Sequence, residues 1–177
     1  MDTYFEKAAK QLLKELKLTN KLAVPVVSHV VVSVGVGKQR DNANLVAAVK
    51  RDVAVITGQY PAERRARKSV AGFNVREGNL VGFKVTLRGK RAQDFTQRFV
   101  MATLPRVRDF RGISTRSLDG HGNLSVGITE HLAFPEIRAD KVDFVFGVEA
   151  TFVTTAKTNE EGLALFKALG FPLTYGN

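Results

Sequence analysis

The chain has 177 residues, 44% hydrophobic and 25% charged, a folded-globular composition that excludes a disordered or fibrous protein. It has no cysteine, so disulfides and thiolate metal sites are excluded, and no apolar run reaches the ~18 residues of a membrane helix. The formal net charge is +10, which points to a polyanionic partner.

Taken in chain order, Thr3 and Glu6 have the spacing of a capping box, and Phe5, Ala9, Leu12, Leu13 and Leu16 repeat at helical spacing. They predict a first helix ending near Asn20. The opening residues lack the basic-then-apolar order of a signal peptide, so a soluble, cytoplasmic protein with no membrane partner is expected. After Pro25, the stretch His29–Gly37 alternates: Val30, Val32, Val34 and Val36 face one way, and His29, Ser33, Gly35 and Gly37 the other. Asn42 is placed to cap a second helix with Leu45, Val49, Val53 and Ile56 on one face and a stop at Gly58. Pro61 then precedes a basic run and a Gly- and Asn-rich turn over residues 69–79. In Leu80–Arg88, Val81, Phe83, Val85 and Leu87 point inward, and Gly82, Lys84, Thr86 and Arg88 outward, which predicts a hairpin with an extended tip. A third helix carries Phe95, Phe99 and Ala102 on one side and closes at Pro105. Residues 105–123 show no periodicity and read as a long surface loop. Strands are predicted near Leu124–Thr129 and Gly147–Thr155. A last helix opens on the Thr158/Glu161 capping box, buries Leu163, Phe166 and Leu169, and ends at Gly170.

The fold class is therefore α+β, a single domain over residues 1–177. A mostly antiparallel sheet has helices on one face, leaves the face with Ser33, Lys84, Thr86 and Arg88 open, and carries long basic loops.

Charge is distributed unevenly along this plan. Between Ala62 and Arg116 stand fourteen Lys or Arg residues and only four acids, whereas the rest of the chain carries thirteen of each sign. A field of one sign opposes folding and solubilising charge alone does not require it, so a nucleic-acid partner is the stronger reading. Lys84, Thr86 and Arg88 form a row at ~6.8 Å steps, a spacing suited to phosphates and 2′-hydroxyls. Arg106, Arg108, Arg111 and Arg116 have the character of phosphate clamps. Phe73 and Phe110 sit in basic loops, and as loop-root aromatics both read first as packing anchors.

Enzymatic chemistry has little support. Asp119 and His121 fall in a D-G-H-G-N turn, where a turn-forming role outweighs an acid–base pair of a nucleic-acid-processing enzyme. Gly35-Val36-Gly37-Lys38 lacks the full spacing of a phosphate loop. No cofactor and no metal are expected.

Seven blocks then carry a resemblance. They are V-x-V-G-V-G (Val32–Gly37), I-T-G-Q-x-P (Ile56–Pro61), A-R-K-S-V-A-G-F-x-V-R-E-G (Ala66–Gly78), G-F-K-V-T-L-R-G (Gly82–Gly89), L-P-R-V-R-D-F-R-G (Leu104–Gly112), F-P-E-I (Phe134–Ile137) and V-T-T-A-x-T-x-E-E-G (Val153–Gly162). In this order, across nearly the whole chain, they closely resemble the bacterial large-subunit ribosomal protein L-five family. The resemblance implies a non-enzymatic protein that binds 5S rRNA, helps seat it in the central protuberance beside neighbouring ribosomal proteins, and touches 23S rRNA. It implies 5S contacts at Ser33, Gly35, Gln59, Lys84, Thr86 and Arg88 on the open face. It implies a tip near the P-site tRNA elbow, with Arg67, Lys68, Ser69, Gly72, Phe73, Asn74 and Arg76. It also implies an intersubunit bridge to small-subunit protein S-thirteen around residues 134–147, and leaves Arg106, Arg108, Arg111 and Arg116 as a further RNA or subunit contact. Two departures stand out: Ser33 replaces the family's usual Asn, and His121 stands where Arg is common.

Overall fold

Period-2 burial of Val30, Val32 and Val34 makes the central strand, with one face apolar and the other left to His29, Val31, Ser33 and Gly35. The computed structural model describes residues 4–37 and 39–174; Thr3, half of the predicted first capping box, lies outside them. The elements are α1 (Tyr4–Glu15), β1 (Val27–Gly35), α2 (Ala43–Thr57), β2 (Ala62–Arg65), β3 (Leu80–Arg88), α3 (Lys90–Arg98), β4 (Ile113–Ser114), β5 (Leu124–Ile128), β6 (Val148–Thr154), α4 (Asn159–Ala168) and β7 (Leu173–Thr174). Five strands form one antiparallel sheet in the order β2-β3-β1-β6-β5.

Local chemistry explains the helix limits. The Asn42 side chain accepts from the backbone N–H of Asn44 and Leu45, and Gly58 ends α2 at φ 65°, a left-handed turn that glycine adopts without cost. Leu45, Val49, Val53 and Ile56 are buried on one side of α2, as their spacing predicts. At α4 the Thr158 hydroxyl accepts from Glu161 N–H, while the Glu161 carboxylate accepts from Lys157 N–H. Leu163 is only half-buried; Leu165, Phe166 and Leu169 fill the core instead.

The core lies between sheet and helices. Val30, Val32, Val34, Phe83, Val85, Leu87, Ala150 and Phe152 are buried from the strands, and Phe95, Phe99 and Phe166 from the helices. Phe152 stands 5.1 Å, centroid to centroid, from both Phe99 and Phe171. Burying each such ring stabilises the fold by roughly 1.5–3 kcal/mol.

Several expectations are corrected. The first helix stops at Glu15, not near Asn20; Lys17 turns at φ 51°, and Asn20 caps a short helical turn over Lys21–Ala23. β1 begins and ends two residues earlier than predicted. After α3 the chain widens into a π-type turn, Phe99–Thr103, which shifts the buried face, so Thr103 and Leu104 are buried and Ala102 only partly. Residues 105–123 are no free loop. Ile113 is buried and pairs in parallel with Leu173, while Val107, Phe110 and Leu118 pack against the core. Val81 is half-buried, and Gly82 is buried although it faces outward: a Cβ there would lie 2.5 Å from the Val34 carbonyl oxygen.

Candidate nucleic-acid interface

Strand register sets the outer face of the sheet. Ser33 lies between Lys84 and Glu149, Val31 between Thr86 and Thr151, and His29 between Arg88 and Val153. Gly127 and Ser125 of β5 continue two of these rows past Glu149 and Thr151, and Arg64 of β2 pairs with Gly82. Ser33, Gly35, Lys84, Thr86 and Arg88 therefore share one face. Gln59 does not stand on a strand; it lies in the turn between α2 and β2, with its backbone N–H and C=O both bonded to the Thr57 hydroxyl.

The side chains of Lys84, Thr86 and Arg88 have no hydrogen-bond or ion-pair partner among the described residues. Two cations and a hydroxyl are thus left uncommitted on a rigid strand. Ser33 Oγ donates to Glu149 Oε2 at 3.1 Å, and the hydroxyls of Ser125 and Thr151 are 3.0 Å apart. His29 is held below the ordinary histidine pKa, first by burial and then by the neighbouring charges of Arg88 and Lys84. Sequence reasoning placed His29 on this face but overlooked Glu149; the alternation of Glu149, Thr151 and Val153 against buried Val148, Ala150 and Phe152 was the available signal.

The hairpin tip is a separate region. Backbone bonds between Ala66 and Asn79 and between Val70 and Val75 close it, and Ser69 Oγ accepts from Glu77 N–H. Arg40 reaches in from outside to donate to the carbonyls of Gly37 and Asn74. Arg67, Lys68, Gly72, Asn74 and Arg76 are exposed. Phe73 is 79% exposed, so it is not the packing anchor its position predicts: its short helical turn, Ala71–Phe73, ends at a left-handed Asn74 that turns the segment back before it meets the core. Phe73 and Val75 line a cavity of about 550 Å³ with Val36, Leu45, Val145 and Phe146.

The third basic region joins the other edge of the sheet. Arg106, Arg108, Arg111 and Arg116 are exposed, and Phe110 between them packs inward as predicted. Arg108 to Ser114 and β5 border a cleft of about 410 Å³.

Asp119 behaves as a turn former. Its carboxylate accepts from the backbone N–H of His121 and Asn123 and from the Asn123 side chain at 2.7 Å, and the Asn123 contact leads in holding its pKa low. A carboxylate so engaged is no proton shuttle for His121. Among the described residues no group of three or more His, Asp or Glu could hold a metal, and no helix is long and apolar enough to cross a membrane.

Below the interface lies a buried pair that the sequence did not reveal. His131 is fully buried, stacks on Phe146 at 3.9 Å, and places Nε2 3.5 Å from Asp52 Oδ2 on α2. Asp52 Oδ1 also accepts from Arg51 Nε at 2.8 Å. Burial pushes the His131 pKa below the usual value, opposed by Asp52. The contact sets the segment after β5 against α2, with neither Nε2 nor Oδ2 making a hydrogen bond among the described residues.

Comparison with known proteins agrees with this arrangement. The family described as "Ribosomal protein L5" matches residues 20–76, and the family describing the C-terminus of the same ribosomal proteins matches residues 80–173. The large ribosomal subunit protein uL5 of Halothermothrix orenii is 48% identical over 171 residues, 97% of this chain and 96% of the relative. Its counterpart from Carboxydothermus hydrogenoformans is 47% identical over 173 residues, 98% and 97% of the two chains, and that from Fusobacterium nucleatum is 48% identical over 169 residues, 96% and 92%. With matches of this extent, the chain belongs to the L5 family of large-ribosomal-subunit proteins, RNA-binding components of the translation machinery and not enzymes.

Proposed function

We propose that this protein binds 5S rRNA through the outer face of its sheet and helps attach it in the central protuberance. Ser33, Gly35, Gln59, Lys84, Thr86 and Arg88 form the platform, with Glu149 beside it on β6. The observation that carries the reading is the row Lys84–Thr86–Arg88, whose side chains have no partner among the described residues. Small residues around Ser33 and Gly35 permit close approach of RNA, while the cations neutralise phosphates and hold the register.

The tip, from Arg67 to Arg76, makes a sequence-independent contact with the elbow of P-site tRNA, which suits its exposed cations. Arg106, Arg108, Arg111 and Arg116 form a further contact with RNA or a neighbouring subunit, and the protein also touches 23S rRNA. The segment 134–147 bridges to small-subunit protein S-thirteen, and the remaining surface meets neighbouring central-protuberance proteins.

Titration of a 5S rRNA transcript against salt tests the platform. Two phosphates neutralised by Lys84 and Arg88 give a slope of log K against log salt of about −1.4 to −1.8. A flat response contradicts the reading.

A further inference from the structure

An acid on the same sheet face as the cations of a proposed RNA platform needs an explanation. Glu149 points outward from β6 and is exposed, in the row Lys84–Ser33–Glu149–Gly127. Two strand spacings, about 9.6 Å, separate its backbone from that of Lys84, and no cation among the described residues pairs with it. Among the described residues its one hydrogen bond comes from Ser33 Oγ at 3.1 Å. That bond holds the carboxylate in place and uses one of about four acceptor positions. The others face a shallow trough of about 360 Å³ bordered by Ser33, Gly35, Gly127, Thr129 and Gly147. A Cβ added at Gly35 or Gly127 would meet nothing within 4 Å, so the trough is open space beside a fixed negative charge.

We propose that Glu149 reads a neutral hydrogen-bond donor of the bound RNA, a ribose 2′-hydroxyl or a base amino group, and thereby sets the register of the RNA on the sheet. The inference rests on the platform reading above. A phosphate cannot sit against an unpaired carboxylate, so the RNA must turn a donor toward it there, while Lys84 and Arg88 take phosphates to one side. A charge-assisted O–H···O⁻ or N–H···O⁻ bond is stronger than its neutral counterpart. The cations attract RNA wherever it lies; the acid admits one alignment.

The alternative, a solvated surface charge, predicts the opposite sign: removing it lowers repulsion and tightens binding. A 5S rRNA transcript is titrated against the parent, Glu149→Gln and Lys84→Ala at several salt concentrations. Gln keeps the shape and can still accept from Ser33, and equal thermal midpoints confirm that the variant folds. Glu149→Gln is expected to weaken binding about tenfold with an unchanged salt slope. Lys84→Ala weakens it with a slope smaller by about one phosphate equivalent. Gly127→Val, which fills the trough and leaves the charge, weakens binding as well. Interference mapping with 2′-deoxy and inosine analogues then yields a position that affects the parent and not Glu149→Gln, and its chemistry tells ribose from base. A Glu149→Gln or Gly127→Val protein that binds as tightly as the parent, or more tightly, overturns the inference and leaves the platform reading standing. A parent that does not prefer 5S rRNA to an unrelated structured RNA overturns the platform itself, and the inference with it.

Discussion

On the sheet face, Lys84 and Arg88 stand on a strand paired with β1 from Gly82 to Arg88 and with β2 from Leu80 to Lys84, above buried Phe83, Val85 and Leu87. At the hairpin tip, Arg67, Lys68 and Arg76 ride on a segment in which no residue from 66 to 79 is buried. The two regions share one sign of charge and differ in what holds them. A side chain on a packed strand offers RNA a pre-set position, which favours register and readout. A cation on a loosely tied turn adapts to what passes it, which favours contact without sequence preference. Phe110 and Phe73 repeat the contrast: both sit among arginines, one packed into the core and one in solvent.

The largest effect is expected where the two regions join. Gly82 is the outward position at which β3 crosses closest to β1, and Gly82→Ala forces a methyl against the Val34 carbonyl. The variant should lose about 1–3 kcal/mol in urea unfolding. Parental stability would show that the strands separate there as easily as at the tip.

A smaller effect, tuned by pH, is expected at His131. Its pKa lies below the unfolded value of about 6.5, so as pH falls through that value the unfolded chain takes a proton that the buried ring refuses. Its titration makes no difference to stability above that pH and progressively lowers stability below it. Between pH 7.5 and 5.5, urea midpoints should fall less in His131→Gln than in the parent. Equal falls would remove the segment 130–147 from the rigid side of the comparison.

The smallest effect belongs to the tip. Arg40→Ala deletes the donors to the carbonyls of Gly37 and Asn74, and should speed amide exchange over residues 70–76 while global stability changes by less than about 1 kcal/mol. Unchanged exchange would mean that the backbone bonds alone order the tip.

The outer face of the sheet was legible in the sequence because alternation is local. Val30 to Val36 and Phe83 to Leu87 announce their buried side, and Ser33, Lys84, Thr86 and Arg88 fall opposite by default. Asn42 and Gly58 bound α2 for the same reason, since a cap acts within one turn. What escaped depends on contacts remote in sequence. The order in residues 105–123 comes from pairing with Leu173 and Thr174, and His131 after β5 lies against Asp52, far upstream. The widened turn at Phe99–Thr103 moved a buried face that a 3.6-residue period could not anticipate. Phe73 was misjudged because loop-root aromatics usually pack, whereas here the turn closes before reaching the core. Glu149 was visible as an outward residue, but its significance depends on Ser33 beside it and on the absence of a cation partner among the described residues.

The division between face and tip is tested most directly by one titration of a 5S rRNA transcript with the parent, Arg88→Ala and Arg76→Ala. Loss of Arg88 should weaken binding about tenfold, and loss of Arg76 should leave it within about twofold. Equal losses from the two variants would contradict the account.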